Sequence, residues 1–371
     1  MNILHVIDSL AVGGAERVLV ELANQAARDG HRVTVCVTRS ETSLAAALHP
    51  GIDLWVLGRQ RRFDFPAMRR FAGLVKQNRI ELIQAHSRST LAFLSVLKTL
   101  KMIRAPIVFL DHYGIEIDPS VPWWFRWWGK HCLSHYVGVC EALGGWAQKA
   151  GVPSEKISVI ENGLDLSSLM QAEPLDIRKE LNLPLDIPLG IVVGGLRYEK
   201  GTDALIEAVA QSARARDTII LVVGGDRDPE YARRCRERAA SLGLAQHLLF
   251  LGQRLDVPRL LRAADFALIP SRSEACNLVF IEYLAAALPF VSTLAGGIAL
   301  QAAARGLPEF VPIDDPQSFG AALDRLLSLT PAERRERGKL GQAFAIQDFE
   351  IRAKMPQWYG LYAKVLGATR L

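Results

Sequence analysis

The 371-residue chain is poor in the features that mark secreted, metal-stapled or repetitive proteins. Its five cysteines, Cys36, Cys132, Cys140, Cys235 and Cys276, are odd in number, scattered, and never spaced Cys-x-x-Cys. That excludes a disulfide framework or zinc ribbon and predicts a reducing compartment. No low-complexity tract or short repeat is present, which excludes solenoids. Met1-Asn2-Ile3 runs straight into a strand pattern, without the basic start and cleavage site of a secretory leader, so a cytoplasmic location is expected. One long apolar run, Phe280 to Ala304, carries a single charge. Glu282, Pro289 and Gly296-Gly297 break it into helix, strand and turn, so it reads as buried α/β core and not as a membrane span.

What is present is an ordinary globular mix, 50% hydrophobic and 22% charged, of a length that suits two domains. The net charge of +5 is uneven: residues 1–165 hold 19 basic and 15 acidic residues, the remainder 25 and 24. Short apolar runs alternate with amphipathic segments. The first half offers strands at Ile3–Ile7, Val33–Val37, Leu54–Leu57, Leu82–Gln84, Ile107–Leu110, Tyr136–Val139 and Ile157–Ile160. The second half offers Gly190–Val193, Ile219–Val223, Leu248–Leu251, Phe266–Ile269, Phe290–Val291 and Phe310–Pro312. Fully apolar strands separated by helices predict parallel sheets covered on both faces. Asn162-Gly163-Leu164-Asp165 and the Pro- and Asp-rich stretch after it mark a linker, giving domains 1–167 and 168–349 and a last helix within 350–371.

The most telling motif is Glu274 and Glu282, eight positions apart, the first after an apolar strand and a Pro-Ser turn, the second inside the helical pattern Leu278 to Ala287. Eight helical residues span roughly 12 Å, about the reach from a hexose to the ribose of a nucleotide sugar. A helix starting near Asn277 would turn its N–H groups and positive dipole end to the pyrophosphate between them. The run continues through Leu284–Leu288, Pro289-Phe290-Val291-Ser292-Thr293 and Gly296-Gly297; Gly13-Gly14-Ala15-Glu16 follows the first strand and Gly194 to Gly201 opens the second half. Together these residues resemble the family-4 glycosyltransferases nearly end to end. The resemblance implies an α/β GT-B fold, two Rossmann-like parallel-sheet domains facing a cleft with the C-terminal helix crossing back to the first. It also implies a retaining transfer of a hexose or N-acetylhexosamine from a UDP- or GDP-sugar to a lipid-linked or polysaccharide acceptor of the envelope type.

Roles follow from the resemblance residue by residue. Glu274 contacts donor-sugar hydroxyls, Glu282 accepts the ribose hydroxyls, and Asn277 and Leu278 offer backbone N–H groups to phosphate. Lys200 matches the family lysine that stabilises the diphosphate leaving group. The family arginine position is Gly195, a departure, and Arg197 two residues on is the expected substitute. Asn277 departs as well, since a glycine is usual there. Arg254 completes the donor side. Gly13 and Gly14 face the donor sugar and diphosphate; they are not a dinucleotide fingerprint, because no Gly-x-Gly-x-x-Gly or ribose acid follows. Glu16 and His86 border the acceptor side, and His112, past a strand end, lies near the transferred sugar. No third acid or Asp-x-Asp is spaced to make a metal site with the two glutamates, so neither metal nor cofactor is expected.

Six of seven tryptophans fall in the first part, four of them in Pro122-Trp123-Trp124-Phe125-Arg126-Trp127-Trp128-Gly129-Lys130. On a helix, Trp123/Trp127 and Trp124/Trp128 are i,i+4 pairs beside Arg126 and Lys130, the pattern of a helix lying on an anionic membrane surface or of one packing a pair on the sheet. Arg59, Arg61, Arg62, Arg69 and Arg70 add a basic run. Two other readings remain open: a weakly catalytic nucleotide-sugar-binding subunit, and a sugar-nucleotide epimerase.

Overall fold

A computed structural model describes residues 1–62, 64–112 and 123–370. The chain divides into two compact units, Met1–Leu164 with Glu350–Leu371, and Asp165–Phe349.

In the first unit, seven parallel strands are found among the described residues: β1 Asn2–Ile7, β2 Arg32–Val37, β3 Asp53–Val56, β4 Leu82–Ala85, β5 Ile107–Asp111, β6 His135–Gly138 and β7 Ile157–Val159. Their order is β3-β2-β1-β4-β5-β6-β7. Apart from the edge strand β3, whose residues are half-buried or exposed, and half-buried β7, they are almost wholly buried, as their apolar sequences require. Helix Gly14–Arg28 buries Val18, Leu19, Leu22, Ala23 and Ala26 at helical spacing and leaves its charged residues outward. Asp64 and Ser87 cap the following helices, Asp64 accepting from Ala67 N–H at 3.1 Å and Ser87 sharing a capping box with Thr90.

The second unit holds β8 Leu189–Val193, β9 Ile219–Val223, β10 Leu248–Gly252, β11 Phe266–Ile269, β12 Phe290–Thr293 and β13 Glu309–Val311, all parallel, in the order β10-β9-β8-β11-β12-β13. Asp228-Pro229 and Asp315-Pro316 start two of its helices with a capping carboxylate followed by a proline whose missing N–H is not needed there. The apolar run from Phe280 is indeed a buried helix, Leu278–Ala285, then β12, then helix Gly297–Ala303. The first of these stops at Ala285, short of the expected Ala287. Ala287 turns left-handed (φ +56°), and the Leu288 N–H closes the end on the Tyr283 carbonyl at 3.0 Å.

The chain leaves the first unit at Leu164, three residues before the expected boundary at 167, because Asp165 already serves as N-cap of helix Leu166–Met170. It re-enters at Glu350, where Leu164 and Glu350 form a parallel bridge and Ile351 N–H donates to the Leu164 carbonyl at 2.9 Å. Gly163 is required here: a Cβ on it would sit 2.9 Å from Ile351 Cα. The last helix, Ile351–Arg370, packs on helix Gly14–Arg28 and ties to the sheet through Tyr362 Oη, which donates to the buried Gln84. No helix among the described residues is long and apolar enough to cross a membrane.

Candidate active site

In each sheet the strand order reverses once, between β1 and β4 and between β8 and β11. Connections leaving the C-terminal ends of two such strands diverge to opposite faces and open a crevice, where open α/β sheets take ligands. The motif residues gather at these two places.

In the second unit the loop after β8 and the loop after β11 are strapped together. Lys200 Nζ donates to Glu274 Oε1 at 2.6 Å. The same oxygen accepts from Ser271 Oγ at 2.7 Å and Asn277 Nδ2 at 3.0 Å, so the carboxylate is held by three donors in a largely buried site. Two glycines make the approach possible. Gly201, at φ +66°, lies so close to Pro270 that an added Cβ would fall 1.9 Å from its carbonyl oxygen; a Cβ on Gly296, at φ +88°, would fall 2.7 Å from the backbone carbonyl oxygen of Glu274. Both the Lys-Gly and the Gly-Gly motifs are therefore backbone devices that let loops close on Glu274. Arg272 adds an outer clamp, reaching Asp203 at 2.7 and 3.0 Å and Asp314 at 2.6 Å while lying over the Tyr198 ring.

Helix Leu278–Ala285 begins at this cluster, with Asn277 as N-cap accepting from Val279 N–H at 3.1 Å through Oδ1. The asparagine that departs from the family pattern thus bridges the helix start and Glu274. Glu282 lies on the same helix and is only 2% exposed, and Tyr283 Oη receives the Val193 N–H at 2.8 Å, fixing the helix to the end of β8.

Two donor-side expectations need correction. Arg197 does not take the place of the family arginine: β8 ends at Val193, strand alternation no longer applies, and the Arg197 side chain is 46% exposed with Nε 3.8 Å from Glu199. The residue over Gly195 is Arg227, whose Cγ would lie 2.6 Å from a Cβ built there. Arg254 is committed elsewhere, to Asp256 at 2.8 and 2.9 Å and to Glu180 at 2.7 Å. Carboxylates on both sides make it a structural cation.

In the first unit, Gly13 precedes helix Gly14–Arg28 without a side-chain cap, and the Glu16 carboxylate folds back over it, Oε2 lying 2.4 Å from where a Gly13 Cβ would be. Across the reversal point three imidazoles form a chain. His5 Nδ1 meets His86 Nε2 at 3.0 Å, and His86 Nδ1 meets His112 Nε2 at 3.2 Å. His86 is fully buried and His5 nearly so. Burial pushes His5 and His112 down to about 3, and burial with its two neighbours holds His86 well below the ordinary range. All three are neutral at physiological pH, so each shared link carries one proton and the tautomers of the three rings are coupled. Tyr113 and Gly114, beyond His112, lie outside the described residues, as does Pro122.

The tryptophan helix runs Trp123–His131. Phe125 is buried; Trp124 packs on the core with its ring 5.2 Å from Trp128. Trp123 and Trp127, the other i,i+4 pair, are 81% and 47% exposed, with Arg126 and Lys130 exposed on the same helix.

Sequence reasoning missed His5, Arg227 and Tyr283. It also missed Asp8, whose carboxylate accepts from Thr38 Oγ1 and Arg59 Nη2 at 2.7 Å and from Ser87 Oγ at 3.1 Å. The polar residue His5 inside an apolar strand was the one visible signal.

Residues 12–168 match the model of Glycosyltransferase Family 4, and residues 188–329 that of Glycosyl transferases group 1. The chain belongs to the family-4 glycosyltransferases, and its two sheets are those of the GT-B fold. It is similar to the D-inositol 3-phosphate glycosyltransferase of Jonesia denitrificans, 28% identical over 208 residues, 53% of this chain and 48% of that one. It is also similar to the lipopolysaccharide core biosynthesis mannosyltransferase LpsB of Rhizobium meliloti, 28% identical over 176 residues, 46% and 49% of the two chains. The alignment thus spans about half the length of the curated relatives it matches. Among solved structures, HepE of Anabaena in complex with UDP and glucose superposes with a TM-score of 0.84 at 22% identity, over 98% of this chain and 100% of that one.

Proposed function

We propose that the chain is a retaining, nucleotide-sugar-dependent glycosyltransferase that moves a hexose or N-acetylhexosamine to a lipid-linked or glycan acceptor. The observation that carries this reading is the Lys200–Glu274–Asn277 cluster at the start of a helix that also carries the buried Glu282. Glu282 accepts the ribose hydroxyls, the helix start and Lys200 receive the diphosphate, and Glu274 holds donor-sugar hydroxyls. In the reaction the bond from the anomeric carbon to the diphosphate breaks as Lys200 stabilises the charge that develops. The acceptor oxygen attacks from the same face, and its proton passes to the departing phosphate oxygen, giving retention. No metal is needed in this scheme, since the lysine and the helix start carry the positive charge; chelator should leave the rate unchanged.

Relatives support the donor and acceptor classes: HepE binds UDP and glucose, and LpsB acts in lipopolysaccharide core synthesis. Incubation with UDP-glucose, UDP-N-acetylglucosamine, UDP-galactose and GDP-mannose tests the reading. Slow nucleoside diphosphate release from one of them is the expected result, with a thermal shift equivalent to about 2.7 kcal/mol at 100 times Kd. Binding without turnover would instead identify a nucleotide-sugar-binding subunit, and an epimerised donor an epimerase.

A further inference from the structure

A row of polar side chains inside the first unit, Tyr362, Gln84, His5, His86 and His112, is left unused by the transfer scheme. Tyr362 comes from the last helix, Ile351–Arg370, and its Oη donates to Gln84 Oε1. Gln84 on β4 and His5 on β1 are register partners in adjacent parallel strands, so their side chains leave the same face of the sheet. From His5 the two imidazole links lead to His86 and on to His112. The first four residues are at most 1% exposed, whereas His112 is only half-buried.

The direction of this row is set at its buried end. A neutral imidazole has one N–H and one bare nitrogen, so the two links admit only two arrangements: every ring protonated at Nδ1, or every ring at Nε2. Among the described residues no carboxylate bonds to any of the rings to choose between them. Two other atoms make the choice. His5 Nε2 and Gln84 Nε2 are both buried with no partner among the described residues. The oxygen end of the amide is turned to Tyr362, which leaves Gln84 only N–H groups to offer. With the amide reversed, the phenol would accept from Nε2 and its own hydrogen would have no acceptor. A hydrogen on His5 Nε2 would therefore leave two buried donors on one face with nothing to accept from either. A lone pair there is the complement of the amide N–H. A water between the two, accepting from the amide, would still have hydrogens to donate to the ring, so it favours the same choice. Hydrogen bonds in a row polarise one another, and the preference passes along both links.

We infer that Tyr362 and Gln84 are positioning residues that hold His5, His86 and His112 in the Nδ1–H form, so that His112 presents a hydrogen-bond donor at the open end of the row. His112 is thereby a donor to a substrate oxygen and not a general base acting through Nδ1. Only the word substrate rests on the glycosyltransferase reading; the tautomer does not.

The test is ring-nitrogen NMR of the full chain grown on 15N-labelled histidine, recorded without ligand, with the His112 signals assigned through a His112→Gln protein. A protonated and a bare ring nitrogen differ widely in chemical shift, so the tautomer is read directly. Wild type should show His112 in the Nδ1–H form alone. Tyr362→Phe keeps the buried ring and removes only the hydroxyl. In that protein and in Gln84→Met the His112 signals should become a mixture of both forms, with kcat/KM for the preferred donor lowered about fivefold. A merely structural role for Tyr362 would lower the melting temperature and leave the tautomer as in wild type, and that result overturns the positioning role. An Nε2–H form of His112 in the wild-type protein, a result that needs no variant to fold, overturns the whole inference. Because the spectra need no substrate, they decide the tautomer even where no nucleotide sugar is turned over, the outcome that would sink the glycosyltransferase reading alone.

Discussion

Lys200 Nζ and Glu274 Oε1 are 2.6 Å apart although 74 positions separate them in the chain, and they meet where the second sheet reverses its strand order. The pair joins the cation assigned to the leaving group to the carboxylate assigned to the donor sugar. Neither can be altered without disturbing the other.

Lys200→Ala should therefore lower kcat by about 10²–10³, the loss seen when a preorganised donor to developing charge is removed. Arg197→Ala should stay within about twofold of wild type, since that side chain is half-exposed beside Glu199. Arg227→Ala should fall between them. Steady-state rates with the preferred donor decide it; a crippled Arg197→Ala protein would restore Arg197 as the substitute arginine.

Glu282→Ala should raise the donor KM more than it lowers kcat, because ribose contacts are made in ground and transition states alike. A pure kcat defect with unchanged donor affinity would remove Glu282 from the ribose role.

Gly201→Ala should destabilise the second unit by at least about 1–3 kcal/mol. The residue has φ +66° and its new Cβ would overlap the Pro270 carbonyl, so strain and collision add. Thermal melting measures the loss, and the Lys200 contact should loosen with it.

The three linked histidines predict a pH dependence. Their folded pKa values lie below the unfolded 6.5, so the unfolded chain binds protons that the folded one does not. Stability is full above pH 6.5 and is lost as pH falls from there toward 3, by up to about 1.4 kcal/mol per pH unit for each histidine. Between pH 6.5 and 5 the depressed aspartates contribute little. Replacing His86 with Gln should flatten the slope of the denaturation midpoint in that window; an unchanged slope would show that the imidazoles are not buried neutral.

Trp123 and Trp127 are exposed with Arg126 and Lys130 exposed on the same helix, an arrangement suited to an anionic bilayer surface. The protein should sediment with anionic liposomes, less at high salt, and Trp123→Ser/Trp127→Ser should leave it in the supernatant. Each basic residue near the headgroups should contribute about 1 kcal/mol. Equal recovery with and without vesicles would make the pair ordinary surface residues.

Strand positions were legible to within a residue or two, because a strand buried on both faces must be an unbroken apolar run, as in Ile219–Val223 and Phe266–Ile269. The Glu274-to-Glu282 spacing was legible too, since both ends lie in one local segment. What escaped was long-range pairing. Nothing near Arg59 in sequence announces Asp8, 51 positions away, and nothing near Gly195 announces Arg227. The Arg197 expectation failed at the point where the strand ended, since alternation holds only inside one. Nothing beside His5 in sequence announces a partner for its ring, which comes from His86, just past the end of the neighbouring strand β4.

The bridge between Leu164 and Glu350 makes the second unit an insertion within the first. A chain emerging from the ribosome can complete residues 165–349 as one continuous piece. The first unit has to wait: until the segment beyond Glu350 has been made, helix Gly14–Arg28 lacks the helix that packs on it, and Gln84 lacks the Tyr362 hydroxyl. The domain synthesised first is thus the one finished last, its Gln84–Tyr362 contact joining residues 278 positions apart.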